Sequence, residues 1–272
     1  TRPNDSFQEI FGQAVSSFDN QEFDKSLSLF KNLAKRDPEH YEVQRYLGSV
    51  HYALGNTESC VWHFRKAQTL GFKNDVLIPL AICEYFQKNY AQVLELQFSG
   101  NTSKISELDF AKLNVWKALS SLKLEDLNAA LDYIDQASEV YPNHIDVLLA
   151  KAYWLDHKAY YEEALQTVDQ LLKQMPTFTL ALGLKGDLLL RSSRYNEAEN
   201  TYSLAIVHAD SQLLKKIYHQ KRALLRLFLG YLKGLNEDIE ELILLKAPEQ
   251  DLLLLSSLLS MRQMDYFHAI QS

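Results

Sequence analysis

Few side chains in this sequence have the spacing of chemistry. Cys60 and His63 stand three apart, which puts a thiol and an imidazole on one helix face, as in a metal site. No third or fourth ligand keeps register with them, so the pair reads as a core thiol beside a surface imidazole. Asp156-His157 and Asp265-Tyr266-Phe267-His268 set carboxylates beside imidazoles, the materials of acid–base catalysis. Neither has a nucleophile or an orienting third group in a predictable place. Glycine-rich phosphate loops and the Gly-x-Ser-x-Gly elbow are absent. The sequence therefore assigns no catalytic residue, no metal ligand and no cofactor, and it predicts a protein that is not an enzyme.

The remaining charged clusters have plainer readings. Glu162-Glu163 and the group Glu237, Asp238, Glu240 and Glu241 are placed in first turns of helices, where carboxylates complement the helix dipole. Lys215, Arg222, Arg226 and Lys233 recur at seven, four and seven residues, one stripe along a long helix. That stripe reads as a solvated face opposing the acidic helix at 237–241, with an acidic-partner site as the sharper alternative. Cys60 and Cys83 read as buried free thiols acting as small hydrophobes, with a disulfide between adjacent hairpins as the alternative. They leave the redox compartment undecided.

The elements carrying these residues are set by a period. Ser26, Cys60, Val93, Ala130, Ala164 and Ala198 lie 34, 33, 37, 34 and 34 residues apart. Three residues earlier stand Phe23, Tyr90, Tyr161 and Tyr195, with Thr57 and Leu127 as exceptions. Four residues later stand Phe30, Phe64, Ile134, Val168 and Tyr202, with Gln97 as the exception. Pro38, Pro142 and Pro176 close units, since proline does not fit a helix interior. Apolar spacing within each unit predicts two amphipathic helices joined by a short turn. Small residues twelve apart, Gly48 with Cys60, Ala152 with Ala164 and Gly186 with Ala198, mark where the two helices cross closely. The bulky residue four positions later is expected to fill the space between successive hairpins.

These units resemble tetratricopeptide repeats. The resemblance rests on Tyr46-Leu47-Gly48, Tyr52, Gly55, Cys60, Phe64 and Ala67, and on the set Gly186, Tyr195, Ala198, Tyr202 and Ala205. It implies an all-α fold, a right-handed superhelical solenoid of antiparallel helix hairpins. Six repeats are expected within 1–210, at about 7–40, 41–73, 74–104, 105–144, 145–178 and 179–210. The third has a shortened second helix followed by a polar loop over Gln97–Ser103, and the fourth an extended first helix at roughly 105–123. A degenerate repeat with a long first helix (211–232) fills 211–248, its short second helix running from about 236 to 246. A partial repeat occupies 249–272, with a first helix at 252–260 and a second beginning near 261. Its Leu254, Leu255, Leu258 and Leu259 are expected to leave an apolar face open to self-association. The sequence reads as a piece of a longer protein.

The resemblance also implies a concave groove lined by first helices. In this register its wall is Arg45, Ser49 and Tyr52, then Ile82 and Tyr85, then Val115 and Leu119, then Tyr153 and Asp156. The family's chaperone-binding type clamps a terminal carboxylate with Lys, Asn and Arg. Ser49 stands where that clamp wants Asn, so the reading is rejected. A mostly apolar, aromatic wall suits a hydrophobic peptide or helix of a partner protein.

Composition agrees with this. Hydrophobic residues make up 47% and charged residues 23% of the 272, with nine Gly and six Pro. A net charge of −7 and a pI near 5.6 argue against nucleic acid as the main partner. No run reaches the length of a transmembrane segment. The expectation is an interaction scaffold, part of a larger bacterial assembly, secretion or envelope-biogenesis protein. The alternative is the repeat region of a larger enzyme or polysaccharide-export protein. Cytoplasm and periplasm both fit.

Overall fold

The computed structural model describes residues 6–71, 74–98 and 105–271, with side chains described as far as 262. Among the described residues all regular structure is helical. Most of the polar loop expected over Gln97–Ser103 lies outside them. Two compact units are distinguished, Thr1–Ala159 and Tyr160–Ser272.

The first unit begins with α1 (Phe7–Asp19), α2 (Phe23–Arg36), α3 (Tyr41–Ala53) and α4 (Thr57–Gly71). A 3-10 turn at Asn74–Val76 leads into α5 (Leu77–Phe86), α6 (Tyr90–Glu95), α7 (Glu107–Lys123), α8 (Leu127–Val140) and α9 (Ile145–His157). Consecutive helices pair as hairpins, α1 with α2, α3 with α4, α5 with α6 and α7 with α8. Each pair also packs on the next, so the core is continuous: Ile10, Ala14, Phe30 and Leu33 of the first hairpin pack with Val43 and Leu47 of α3. The second unit holds α10 (Tyr161–Gln174), α11 (Thr179–Arg191), α12 (Tyr195–His208), α13 (Gln212–Leu229), α14 (Leu232–Leu244) and α15 (Glu249–Gln271). There α11 pairs with α12 and α13 with α14.

The 34-residue register has a physical basis at three points. The six small or medium positions Ser26, Cys60, Val93, Ala130, Ala164 and Ala198 are all 0% exposed. Ser26, the polar one, gives its hydroxyl proton to the Ala14 carbonyl at 2.9 Å, which removes the cost of burying it. The residue three earlier opens the second helix each time, at Phe23, Thr57, Tyr90, Leu127, Tyr161 and Tyr195.

The turns repeat as well. Gln21, Gly55, Lys88, Glu125, Ala159, Ser193 and Gly230 all have left-handed φ, between 58° and 77°. At six of them the next backbone N–H reaches five residues back, as from Asn56 to His51 (2.8 Å) and from Arg194 to Leu189 (2.8 Å). This is the Schellman closure, which satisfies carbonyls left open at a helix end. Helix starts are capped too. Ser6 and Glu9 form a reciprocal capping box, and Asp126, Ser106 and Ser211 each accept an N–H from three residues on.

The structure changes several expectations. Phe64 and Tyr202 lie against the glycines of their own hairpins: a Cβ on Gly48 would come within 2.9 Å of the Phe64 ring, and one on Gly186 within 2.4 Å of Tyr202. Those two bulky residues therefore belong to the crossing inside the hairpin. Cys60 and Cys83, 0% and 1% exposed, are joined as a disulfide with Cα atoms 6.1 Å apart, linking α4 to α5. The free-thiol reading is replaced by its alternative. The second helix of the degenerate repeat starts at Leu232, because Gly230 at φ 77° ends α13 and the chain re-enters helix at once. The last segment is a single helix, α15, since nothing between Leu252 and Ala269 is glycine or proline to break it.

Candidate functional site

All nine groove positions lie in the first unit, on α3, α5, α7 and α9. Six remain partly exposed: Arg45, Ser49, Tyr52, Ile82, Tyr85 and Tyr153. Val115, Leu119 and Asp156 do not, at 2%, 3% and 5% exposure. A side chain so enclosed presents nothing to a partner, so these three are corrected from groove wall to packing. For Val115 and Leu119 the cause is the length and surroundings of α7, which touches α5, α6, α8 and α9 and so has more of its circumference covered than a standard first helix.

Arg45 is already engaged. Its Nε and Nη2 both donate to Glu42 Oε2 at 2.8 Å, and its guanidinium lies 4.6 Å from the Tyr46 ring centroid. Ser49 donates its hydroxyl proton to the Arg45 carbonyl at 3.3 Å. These two residues offer a partner the edge of a paired charge and a hydroxyl already bonded to the backbone.

The aromatic positions do converge. Tyr52 of α3 meets Phe86 of α5 at 6.4 Å between ring centroids. Tyr85 packs edge-on to Phe86 at 5.5 Å and to Trp116 of α7 at 5.3 Å, and Phe86 lies 6.3 Å from Trp116. Tyr90 adds a fifth ring, 5.5 Å from Tyr85. The result is a ladder of rings crossing three successive first helices. Edge-on pairs of this kind add about 0.5–1.5 kcal/mol each beyond their burial, so the ladder is stiff. Burial pushes the Tyr85 hydroxyl pKa above its ordinary value, which leaves the ring neutral. Phe86 and Trp116 lie outside the groove positions expected from the sequence, although each follows one of them by one residue. At 100° per residue, a neighbour on the next stripe still reaches the same face when its ring is large.

The other chemical candidates resolve into structure. His63 Nδ1 lies 2.7 Å from Gln44 Oε1, and its ring stacks on His51 with centroids 5.2 Å apart. Burial is the main cause pushing both imidazoles down from 6.5 to about 4, so both are neutral at pH 7. Among the described residues no group of three or more His, Cys, Asp or Glu side chains is placed to hold a metal ion. His268 lies beyond the described side chains.

The basic stripe is neither solvated nor open to an acidic partner at its centre. Arg222 and Arg226, 15% and 13% exposed at the side chain, converge on Asp238, which is fully buried. Arg222 Nη2 donates to Asp238 Oδ1 at 2.6 Å, and Arg226 Nη1 to Oδ2 at 3.0 Å. His219 Nδ1 lies 2.8 Å from the same carboxylate, and Arg226 Nε also donates to Glu199 Oε1 at 2.7 Å. Burial raises the pKa of the Asp238 carboxyl. The hydrogen bonds from His219 and Arg222 and the two arginine charges outweigh it and hold the value below the ordinary one. Asp238 thus sits mid-helix as the pin between α13 and α14, whereas Glu162 and Glu163 do occupy the first turn of α10 as expected.

At α15, Leu255 and Leu259 pack with Ala223, Leu235, Leu242 and Ala247, so they do not form an open face. Among the described side chains of α15, Leu253, Leu254 and Met261 are exposed and apolar, at 60%, 55% and 64%. No helix among the described residues is long and apolar enough to cross a membrane.

Comparison with known proteins agrees with this architecture. Residues 11–59 match the family described as Tetratricopeptide repeat. Anaphase-promoting complex subunit 3 of Schizosaccharomyces pombe is 28% identical over 138 residues, which is 49% of this chain and 20% of that protein. The chain therefore spans about a fifth of that relative's length. A tetratricopeptide repeat protein from Parabacteroides merdae superposes with a TM-score of 0.59, covering 93% of this chain and 98% of the other at 14% identity. The anaphase-promoting complex hetero-tetramer Cut9-Hcn1 superposes with a TM-score of 0.58 at 13% identity, covering 96% of this chain and 50% of that one. At those identities the superpositions speak to fold. Residues 11–59 are tetratricopeptide repeat sequence, and the fold of the chain is the helix-hairpin array of that family.

Proposed function

We propose that the chain is a non-enzymatic scaffold that holds an apolar, aromatic-compatible segment of a partner protein on the first-helix face of its first unit. The observation that carries this reading is the row of partly exposed rings Tyr52, Phe86 and Tyr85 on α3 and α5, backed by the buried Trp116 of α7. Rigid aromatic surface on adjacent helices offers large contact area at little entropic cost. Ile82 and Tyr153 of the same first-helix set are also partly exposed. The resemblance to a subunit of a multi-protein complex supports the same class of role. A bacterial assembly, secretion or envelope setting remains the expectation stated from the sequence. The exposed Leu253, Leu254 and Met261 support a second contact, self-association through α15.

The test is site-specific photo-crosslinking in cells that express the protein in its full context. A crosslinking amino acid at position 52 or 82 is expected to capture the same partner. One at the exposed Lys173 is expected to capture none of it. Capture from position 173 alone overturns the reading. For α15, Leu254→Glu is expected to lower the mass seen by light scattering, and an unchanged mass removes that contact.

A further inference from the structure

The third hairpin departs from its neighbours in a way that opens a second surface. The second helices α2, α4 and α8 have 14, 15 and 14 residues, whereas α6 has six. Leu96 follows it in an extended conformation, at φ −64° and ψ 130°. Eight or so missing residues correspond to about two turns, roughly 12 Å of helix that would have covered the flank of α7. A cavity of about 370 Å³ lies against that flank. Its apolar wall is Leu96 and Phe98 after α6, Phe110 and Leu113 of α7, and Val140 at the end of α8. Phe110 is 41% exposed, unusual for a ring on a helix so enclosed elsewhere.

Two charged side chains line this cavity, Lys117 and Glu107. Lys117 lines the cavity, and its ammonium lies 5.6 Å from the centroid of the Tyr133 ring. Among the described residues no carboxylate pairs with it. Glu107 also lines the cavity but stands ten positions away on the same helix, about 15 Å, too far to neutralise it. Burial lowers the Lys117 pKa, the behaviour of an ammonium that has lost water without gaining an acid. The cavity thus has an apolar floor, with the unpaired Lys117 about three turns along α7 from Glu107.

We propose that this cavity is a docking site for an amphipathic helix of a partner protein, one that carries an acidic side chain beside its apolar stripe and takes the place of the missing turns of α6. Apolar residues of that helix would fill the space between Phe110 and Val140, and its carboxylate would accept a hydrogen bond from Lys117. Helix-in-groove recognition with a matching charge follows from this geometry. The inference rests on the scaffold reading but uses residues distinct from the aromatic ladder.

The test uses the whole chain, isotope-labelled for NMR, with 4-phenylbutyrate as the probe and 4-phenylbutanamide as its uncharged counterpart. The acid is expected to shift the amide signals of Phe110, Leu113 and Lys117 and to bind about fivefold more tightly than the amide. Lys117→Met is expected to abolish that preference, so that acid and amide bind alike, and Lys117→Arg to keep it. A stapled helix with a leucine stripe and one glutamate is expected to displace the acid, about fivefold better than its glutamine version. No shift at these residues, equal binding of acid and amide, or failure of the helix to displace the acid each overturns the proposal. If that happens while crosslinks at position 52 persist, the scaffold reading stands and this site falls.

Discussion

Gly186→Ala puts a number on the hairpin crossing. The added Cβ would lie 2.4 Å from the Tyr202 ring. Tyr202 is 1% exposed, and its hydroxyl donates to Asp187 Oδ1 at 2.6 Å. Asp187 is held in turn by Lys221, whose Nζ donates to Oδ1 at 2.7 Å. The ring therefore cannot swing away without breaking a partly buried charge pair, and α11 and α12 must part by a few tenths of an ångström. Overpacking of this kind costs about 1–3 kcal/mol. Alanine returns about 0.5–1 kcal/mol through its better helix propensity, so the net cost is about 1 kcal/mol from the middle of the two ranges. Gly12 supplies the control, since nothing lies within 4 Å of a Cβ there. Gly12→Ala keeps only the propensity gain and is expected to stabilise by about 0.5–1 kcal/mol. Urea titrations followed by circular dichroism should move the two midpoints in opposite directions. Adding Tyr202→Leu to Gly186→Ala should recover about 1 kcal/mol of coupling, because the clash then has no ring to meet. A Gly186→Ala variant as stable as Gly12→Ala would refute the argument and with it the claim that the glycine is there to admit the ring.

Three further outcomes follow from the same geometry. Asp238→Asn leaves Arg222 and Arg226 enclosed without their carboxylate and is expected to cost about 3–5 kcal/mol, read from the loss of hydrogen-exchange protection over α13 and α14. His51 and His63 are pushed down from 6.5 to about 4, so the unfolded chain binds protons more readily than the folded one. Their contribution is present above pH 6.5 and lost as the pH falls towards 4. The thermal midpoint should drop across that window, with a shallower slope in the His51→Gln/His63→Gln variant. Gly55 holds φ 77°, so Gly55→Ala is expected to lower stability by about 1–2 kcal/mol in a urea titration.

The parts of the fold legible in the sequence are those that every repeat states again. The position of Ala198 is fixed by its own size, by Tyr195 opening the helix, and by five equivalent positions, so one irregular residue does no harm. Ser26 shows the tolerance: a hydroxyl stands at a core position because the Ala14 carbonyl is within reach. The errors arise where a residue's surroundings are set by another helix packed over its face. Arg222, Arg226 and Asp238 look like solvated charges on two helices, because periodicity gives the face a residue occupies and not what covers it. The covering is the pairing of α13 with α14, which turns three surface-like residues into a buried cluster. Val115 and Leu119 fail for a related reason. Their groove assignment transfers a standard repeat onto α7, a helix of 17 residues that neighbours enclose on several sides. The same irregularity shortens α6 and leaves Phe110 and Lys117 at a cavity. The departure from the 34-residue period, visible as the interval of 37, thus marks the stretch where the repeat template misplaces side chains. It also marks the stretch where this chain has a surface that a regular array would have covered with helix.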